Sequence, residues 1–558
     1  MYSKLYTSVH PPILHTAFWV FCLLLLANPA GVYAQKNEEI NPDWSVAAKK
    51  IENLLRKLEQ EYMEPVDFEK AAENAINGIL KDLDPHSVYI PAEEYDDINE
   101  PLVGNFEGIG IKFEKLRDTI FVLTTTENGP SAKAGLQSGD KIIAVNNKVI
   151  AGVGITDEEI SRLLRGPRNS ELQVAVKRQG SKELLDYKVV RDKITIPSVE
   201  AGYMATPTIA YIKVSRFSSN TMREFTKKLK ALKKEGMESL ILDLRNNGGG
   251  YFSMAVDMAD EFLNHKQQIV YTEGENYPKK SYDASSRGNF EQGRLVILIN
   301  ENSASASEIV SGAIQDWDRG IIIGQRSFGK GLVQKPFMFS DSSYIRLTIA
   351  HYYTPTGRSI QKPYDKGKDD YYKDLDKRYE NGEMTGSISQ PEHHDSLKYL
   401  TKLQNRVVYG GGGITPDIYV PLDTTYRTAY YKELVNKGIL NLFLVGNMDL
   451  HRQTILSNYP TEKDFETAFE TPDTLLQELK DFAQLQQLPP DEAGFEAAKN
   501  QVKLRIKSFF AKYLYSDELN QKVLNRDNET YLKALQVLET DYFWNHLSDV
   551  SKNKDHQP

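Results

Sequence analysis

Leu295-Val-Ile-Leu-Ile-Asn-Glu-Asn-Ser-Ala-Ser-Ala-Ser-Glu308 runs from five apolar residues directly into a turn of serines and alanines. The apolar run reads as a buried strand and Glu308 to Gln315 as a helix, so Ser303–Ser307 occupies a strand-to-helix turn. Two readings of the turn compete. Ser305 and Glu308 fit an S-x-x-E capping box, a purely structural role. A serine at such a turn also exposes its oxygen, and the Ala306 N–H can point at an oxyanion beside it. Small alanines would let a peptide backbone approach.

Working outward, strands and helices alternate from Ile209 to about Val420, which predicts α/β organisation. Ser239–Leu244 reads as a strand, Met254–Leu263 as a helix and Gly320–Gly324 as a strand. Asp243-Leu-Arg-Asn-Asn-Gly-Gly-Gly250 joins strand to helix through glycines. It is either a tight structural turn or the source of a second oxyanion N–H. Gly249 is the preferred donor, with little to separate it from Gly248 and Gly250.

Lys330 stands between two glycines in Phe328-Gly-Lys-Gly-Leu-Val-Gln334. Gly324–Lys330 matches the G-x-x-x-x-G-K phosphate loop, but Gly331 replaces the Ser/Thr that would hold magnesium. A serine nucleophile needs a base. There is no G-x-S-x-G or H-E-x-x-H, and no histidine neighbours a candidate serine; His393-His394 lies in a polar segment. A neutral lysine remains. Free lysine titrates near ~10.4, so Lys330 must be desolvated to act near neutrality. A surface lysine on a glycine turn is the alternative.

The chain has 558 residues, 40% hydrophobic and 26% charged, which predicts several globular domains. A net charge of −9 with no long basic block speaks against nucleic acid as a partner. Lys4 followed by the apolar run Ala17–Ala27 and Val32-Tyr-Ala34 reads as a secretory signal peptide over 1–34, cut after Ala34. An uncut anchor near a membrane is the alternative. Cys22, the one cysteine, lies inside that segment, leaving no disulfide or thiolate chemistry in the processed chain.

Residues 35–100 are expected to form an N-terminal helical region, 101–192 a β domain, 193–425 the α/β core and 426–558 a C-terminal helical region. The charged stretch 361–408 reads as a solvated insertion with little to bury.

Taken in order, Leu83-Asp-Pro-His-Ser87, Ile241–Gly250, Asn300–Ile309, Gln315-Asp316, Phe328–Gln334 and Tyr353-Thr-Pro-Thr-Gly357 resemble the carboxy-terminal processing (tail-specific) serine peptidases of family S41. The resemblance implies a multidomain α/β chain whose S41-type, ClpP/crotonase-like core carries an inserted PDZ domain between helical regions. It further implies Ser305 as nucleophile, Lys330 as base, Gln334 as its support and Asp316 as an aspartate of either catalytic or structural role. Gly108-Ile-Gly-Ile111 resembles the PDZ loop that takes a C-terminal carboxylate, so Gly108, Ile109, Gly110 and Ile111 are the candidate substrate-binding residues. Expected partners are proteins or peptides with apolar C-termini, with room for an accessory protein. No cofactor or metal is implied, and the location is extracytoplasmic, in the periplasm. Retinoid-binding relatives on the same core leave a non-catalytic PDZ scaffold as the rival. Two features depart from the family's plan, the 361–408 insertion before Gly413-Ile-Thr-Pro-Asp417 and the long helical tail.

Overall fold

The structure, a computed structural model, describes residues 44–116, 118–386, 397–540 and 542–543. The signal segment, Cys22 and His393-His394 lie outside the described residues. Two compact units result, 1–78 and 79–558. In the first, helix Trp44–Glu61 follows the apolar repeat of its sequence but buries none of its residues, and Trp44 is 80% exposed.

The second unit centres on a six-stranded sheet ordered Val199–Met204, Ile209–Val214, Ser239–Asp243, Arg294–Ile299, Ile321–Gly324 and Ile418–Tyr419. The first pair is antiparallel and every later pair parallel. A parallel sheet needs both faces covered. Helices Thr221–Lys234, Phe252–Asp260 and Ala306–Asp316 bury one face through Leu229, Met258 and Val310. The other is covered from the C-terminal region, where helix Glu529–Glu539 sets Tyr531, Ala534 and Leu538 against Tyr211, Ile241 and Val296. The helical tail thus completes the core.

A second sheet begins just after the Gly329-Lys330-Gly331 turn. Strand Tyr344–Tyr353 pairs with Leu332–Met338, with Gln268–Gly274 and with Val88–Ile90. The region expected to be helical over 35–100 thus also contains a short strand, Val88–Ile90. Three residues are too few to show a period, and tertiary pairing decides their conformation.

The β domain is a five-stranded antiparallel sheet ordered Ile111–Leu116, Thr119–Thr125, Lys141–Val145, Glu171–Lys177 and Leu185–Val190, with Lys148–Val149 beside the third strand. Helix Asp157–Leu164, started by a Thr156/Glu159 capping box, closes its core with Ile160 and Leu164. Asn105–Gly108 pairs with Asp192–Thr195 where the chain enters and leaves. C-terminal helices pack on this domain, as Leu123 joins their apolar cluster and Lys112 pairs with Asp517 at 3.0 Å.

The segment 361–408 is not a solvated loop where it is described. It forms helices Lys368–Tyr372 and Asp374–Glu380, and Lys362, Tyr371, Arg378 and Glu383 are buried. Its buried polar residues are paired within the protein. Arg378 donates to the carbonyls of Arg326 (2.6 Å) and Ser327 (3.2 Å), and Glu383 receives Arg326 at 2.7 and 2.8 Å. Charge density misled the sequence reading because paired buried charges look, in sequence, like exposed ones. Arg378→Ala leaves the buried Arg326 and Ser327 carbonyls without this donor and takes one of Glu383's two arginine partners, and is expected to cost roughly 3 kcal/mol, read from denaturant unfolding. An unchanged midpoint would return the segment to solvent.

Candidate active site

The alternating serines divide by role. Ser303 Oγ donates to the Leu244 carbonyl and Ser307 Oγ to the Asn247 carbonyl, both at 2.8 Å, and both residues are buried. These two staple the serine turn to the glycine turn. Ser305, between them, keeps partial exposure and takes φ 55°, ψ −110°. A non-glycine residue in that region is strained and persists because its surroundings fix it.

Glu308 does the fixing. Its buried carboxylate accepts the N–H groups of Ser305 (2.7 Å), Gly329 (2.7 Å) and Lys330 (2.9 Å), and the Ser327 hydroxyl (2.5 Å). The reach-back half of the predicted capping box is thereby present, but the same carboxylate also grips the G-K-G turn. Burial pushes its pKa up to about 7, against the four donors, which favour the ion. Tyr352 adds a second tie, its Oη lying 2.6 Å from the Lys330 carbonyl oxygen and 3.1 Å from that of Ser305. Gln361, at the start of the insertion, accepts the Gly331 N–H at 2.8 Å. Sequence reading gave no functional part to Glu308, Tyr352 or Gln361. Only the S-x-x-E spacing hinted at the first.

Lys330 Nζ donates to Gln334 Oε1 at 2.8 Å. Gln334 Nε2 in turn donates to the His86 carbonyl at 2.5 Å. A carbonyl only accepts, which fixes the amide with its oxygen toward the lysine. Burial lowers the Lys330 pKa to about 8, helped by the Arg346 cation and opposed by Asp84 and Glu308. Burial, then the Lys330 charge, lowers His86 to about 3, so its ring is neutral. Among the described residues no hydrogen bond joins Ser305 Oγ to Lys330 Nζ. Such contacts are often long before substrate binds.

Gly249 lies against the serine turn, and a Cβ there would meet Ser305 Cβ and the Ala304 carbonyl oxygen at 2.9 Å. Its own N–H, however, donates to Asn247 Oδ1 at 2.9 Å. Among the described residues no hydrogen bond engages the N–H of Ala306, Gly248 or Gly250. The structure therefore favours Gly248 or Gly250 over Gly249 beside Ala306.

Asp316 sits apart from this group. Fully buried, it pairs with Arg358 at 2.7 Å and accepts Thr356 N–H (2.9 Å) and hydroxyl (2.8 Å). That environment makes it a structural brace for the Thr354–Arg358 turn. In the β domain, Gly108, Ile109 and Gly110 are buried, and Gly110 has φ 71° with Ile194 Cδ1 2.8 Å from where a Cβ would be. Ile111 begins the edge strand, whose other side pairs with no strand among the described residues. Among the described residues, no cluster of three His, Cys, Asp or Glu side chains could hold a metal ion.

Residues 208–369 match the model of peptidase family S41, 108–189 that of the PDZ domain and 430–516 a family of unknown function. A carboxy-terminal-processing protease of Bartonella bacilliformis is 37% identical over 314 residues, covering 55% of this chain and 71% of the relative. A protein of Staphylococcus haemolyticus described as a CtpA-like serine protease is 31% identical over 422 residues, 70% of this chain and 84% of its own. Among solved structures, the photosystem II D1 C-terminal processing protease is 28% identical, with a TM-score of 0.33 over 55% of this chain and 83% of that one. The fold and site define a serine peptidase carrying a PDZ domain. The chain belongs to the carboxy-terminal-processing proteases of family S41.

Proposed function

We propose that this enzyme captures the C-terminus of a protein substrate on its PDZ domain and cleaves the substrate nearby, with Ser305 as nucleophile and Lys330 as general base. The observation that carries this reading is the single Glu308 carboxylate that holds the backbone of both residues, one strained and the other desolvated.

Neutral Lys330 takes the proton from Ser305 Oγ as the oxygen attacks the scissile carbonyl. The Ala306 N–H, with one from Gly248–Gly250, receives the negative charge that develops on the carbonyl oxygen. Lys330 then gives its proton to the departing amine, leaving an acyl ester on Ser305. Water then attacks the ester carbonyl and loses a proton to Lys330, which returns it to Ser305 Oγ as the acid is released. Gln334 Oε1 holds one Nζ hydrogen throughout and so aims the lone pair. Only the neutral amine serves, and the rate is expected to rise with pH through about 8 and to level off above it.

The PDZ loop supplies the address. The terminal carboxylate meets the backbone of Gly108–Ile111, the tail adds beside strand Ile111–Leu116, and its last apolar side chain enters the domain. Location outside the cytoplasm rests on the sequence of residues 1–34, and cell fractionation tests it.

The deciding experiment uses a peptide ending in apolar residues, as free acid and as amide, with wild type and Ser305→Ala. Wild type should cleave the free acid about tenfold faster or more, the worth of a charge-assisted hydrogen bond, and Ser305→Ala neither. Equal rates on both peptides would remove carboxylate capture. Cleavage by Ser305→Ala would remove the nucleophile, and no cleavage by wild type would favour a binding scaffold.

A further inference from the structure

The insertion that departs from the family's plan reaches the general base from behind. Tyr371 and Tyr372 end the short helix Lys368–Tyr372, and both hydroxyls meet the Asp84–Ser87 turn. Tyr371 Oη lies 2.8 Å from His86 Nε2, and Tyr372 Oη donates to the Pro85 carbonyl at 2.8 Å. The rings lock together, His86 standing edge-on to Tyr371 at 5.2 Å and Phe328, two residues before Lys330, at 5.8 Å from Tyr371. Asp84 holds the turn from the other side by accepting His86 N–H (2.8 Å), Ser87 N–H (2.9 Å) and the Thr348 hydroxyl (2.9 Å).

That turn supplies the carbonyl on which Gln334 hangs. With His86 O fixed, Gln334 Nε2 has one place to donate, and Oε1 has one direction in which to face Lys330. Release of the turn frees the amide to rotate. A flipped amide would present Nε2 to Nζ, where it would oppose the protonated amine and, in the neutral one, occupy the lone pair that must take the serine proton.

We propose that Tyr371 is a positioning residue, and the insertion a clamp, that orients Lys330 through His86 O and Gln334. The proposal rests on the reading of Lys330 as general base. The Tyr371 hydroxyl stays protonated, since burial pushes it up, and neutral His86 Nε2 can accept from it. The charged groups facing Lys330 are Arg346, Asp84 and Glu308; none belongs to the clamp, so a change at Tyr371 reaches the amine through geometry.

The test is a double-mutant cycle in the full chain. Tyr371→Phe keeps the ring and removes one hydroxyl, and Gln334→Ala removes the link. Each single variant should lower kcat about tenfold with KM unchanged, a transition-state effect. In the Gln334→Ala background, Tyr371→Phe should cost less than twofold more, because the link is already gone. The ascending limb of the pH–rate profile should move in both single variants and by no further amount in the double. Equal, additive losses overturn the proposal, as does a Tyr371→Phe enzyme with wild-type kcat and pH profile. Full activity in Lys330→Ala would instead overturn the base on which it stands, so the two failures are distinct.

Discussion

Lys330→Ala and Lys330→Arg should both fold and both lose peptidase activity by roughly a thousandfold or more, the scale seen when one member of a catalytic unit is removed. Arginine preserves charge and length but cannot shed its proton at any working pH, so it cannot serve as a base. The folded state has little reason to resist either change, since Lys330 Nζ makes one hydrogen bond, to Gln334, and its backbone ties to Glu308 and Tyr352 persist. Removing a desolvated amine relieves a cost. Thermal unfolding within a few degrees of wild type, with single-turnover cleavage abolished, is the expected pair of results. A folded Lys330→Ala enzyme of near-normal rate would end the mechanism even if Ser305 proved essential.

Glu308→Gln should damage both stability and rate. The carboxylate accepts four donors, three of them backbone N–H groups that cannot turn away. An amide offers one acceptor oxygen, and its nitrogen must face two of those donors. Each buried donor left unpaired costs about 1–3 kcal/mol, so a loss of roughly 2–6 kcal/mol is expected in denaturant unfolding. Activity should fall about a hundredfold or more, because the tie that sets Ser305 against the G-K-G turn is cut. As pH falls, wild type should show a milder form of the rate defect alone. The folded-state pKa of Glu308 is raised to about 7, and protonation below that value removes an acceptor the site needs. The rate should therefore fall with one slope below about pH 8, as Lys330 gains its proton, and more steeply below about 7. Ionising a group whose pKa is raised on folding costs stability as pH rises from its unfolded value through about 7, so folding and rate should respond to pH in opposite senses over that window. A Glu308→Gln variant of normal stability and rate would sink this account.

Much of the architecture was legible in sequence. Strands Arg294–Ile299, Ser239–Asp243 and Ile321–Gly324 lie within a residue of their expected bounds, and helix Ala306–Asp316 begins two residues before the expected Glu308. These features follow from local periodicity, which a single chain displays directly. Candidate roles for Ser305 and Lys330 came through the resemblance of their motifs to family S41, since each residue taken alone also fits a structural role.

The remaining decisions belong to tertiary structure. Asn247 takes the Gly249 N–H, an exchange two residues apart that composition cannot separate from the alternatives at Gly248 and Gly250. Asp316 faces Arg358 and Thr356 rather than the reacting groups, which only the packing of its helix decides. The insertion at 361–408 looked solvated because its charges carry no apolar period, yet Arg378 and Glu383 are buried as partners of the Gln325–Lys330 segment. His86 and Tyr371 lie 285 positions apart in the chain, and they meet behind Lys330. Sequence by itself determined the strands, the helices and the reactive residue types, for these are written in neighbours a few positions apart. Which carboxylate binds and which lysine loses its water depend on groups tens to hundreds of residues distant, and only folding brings those together.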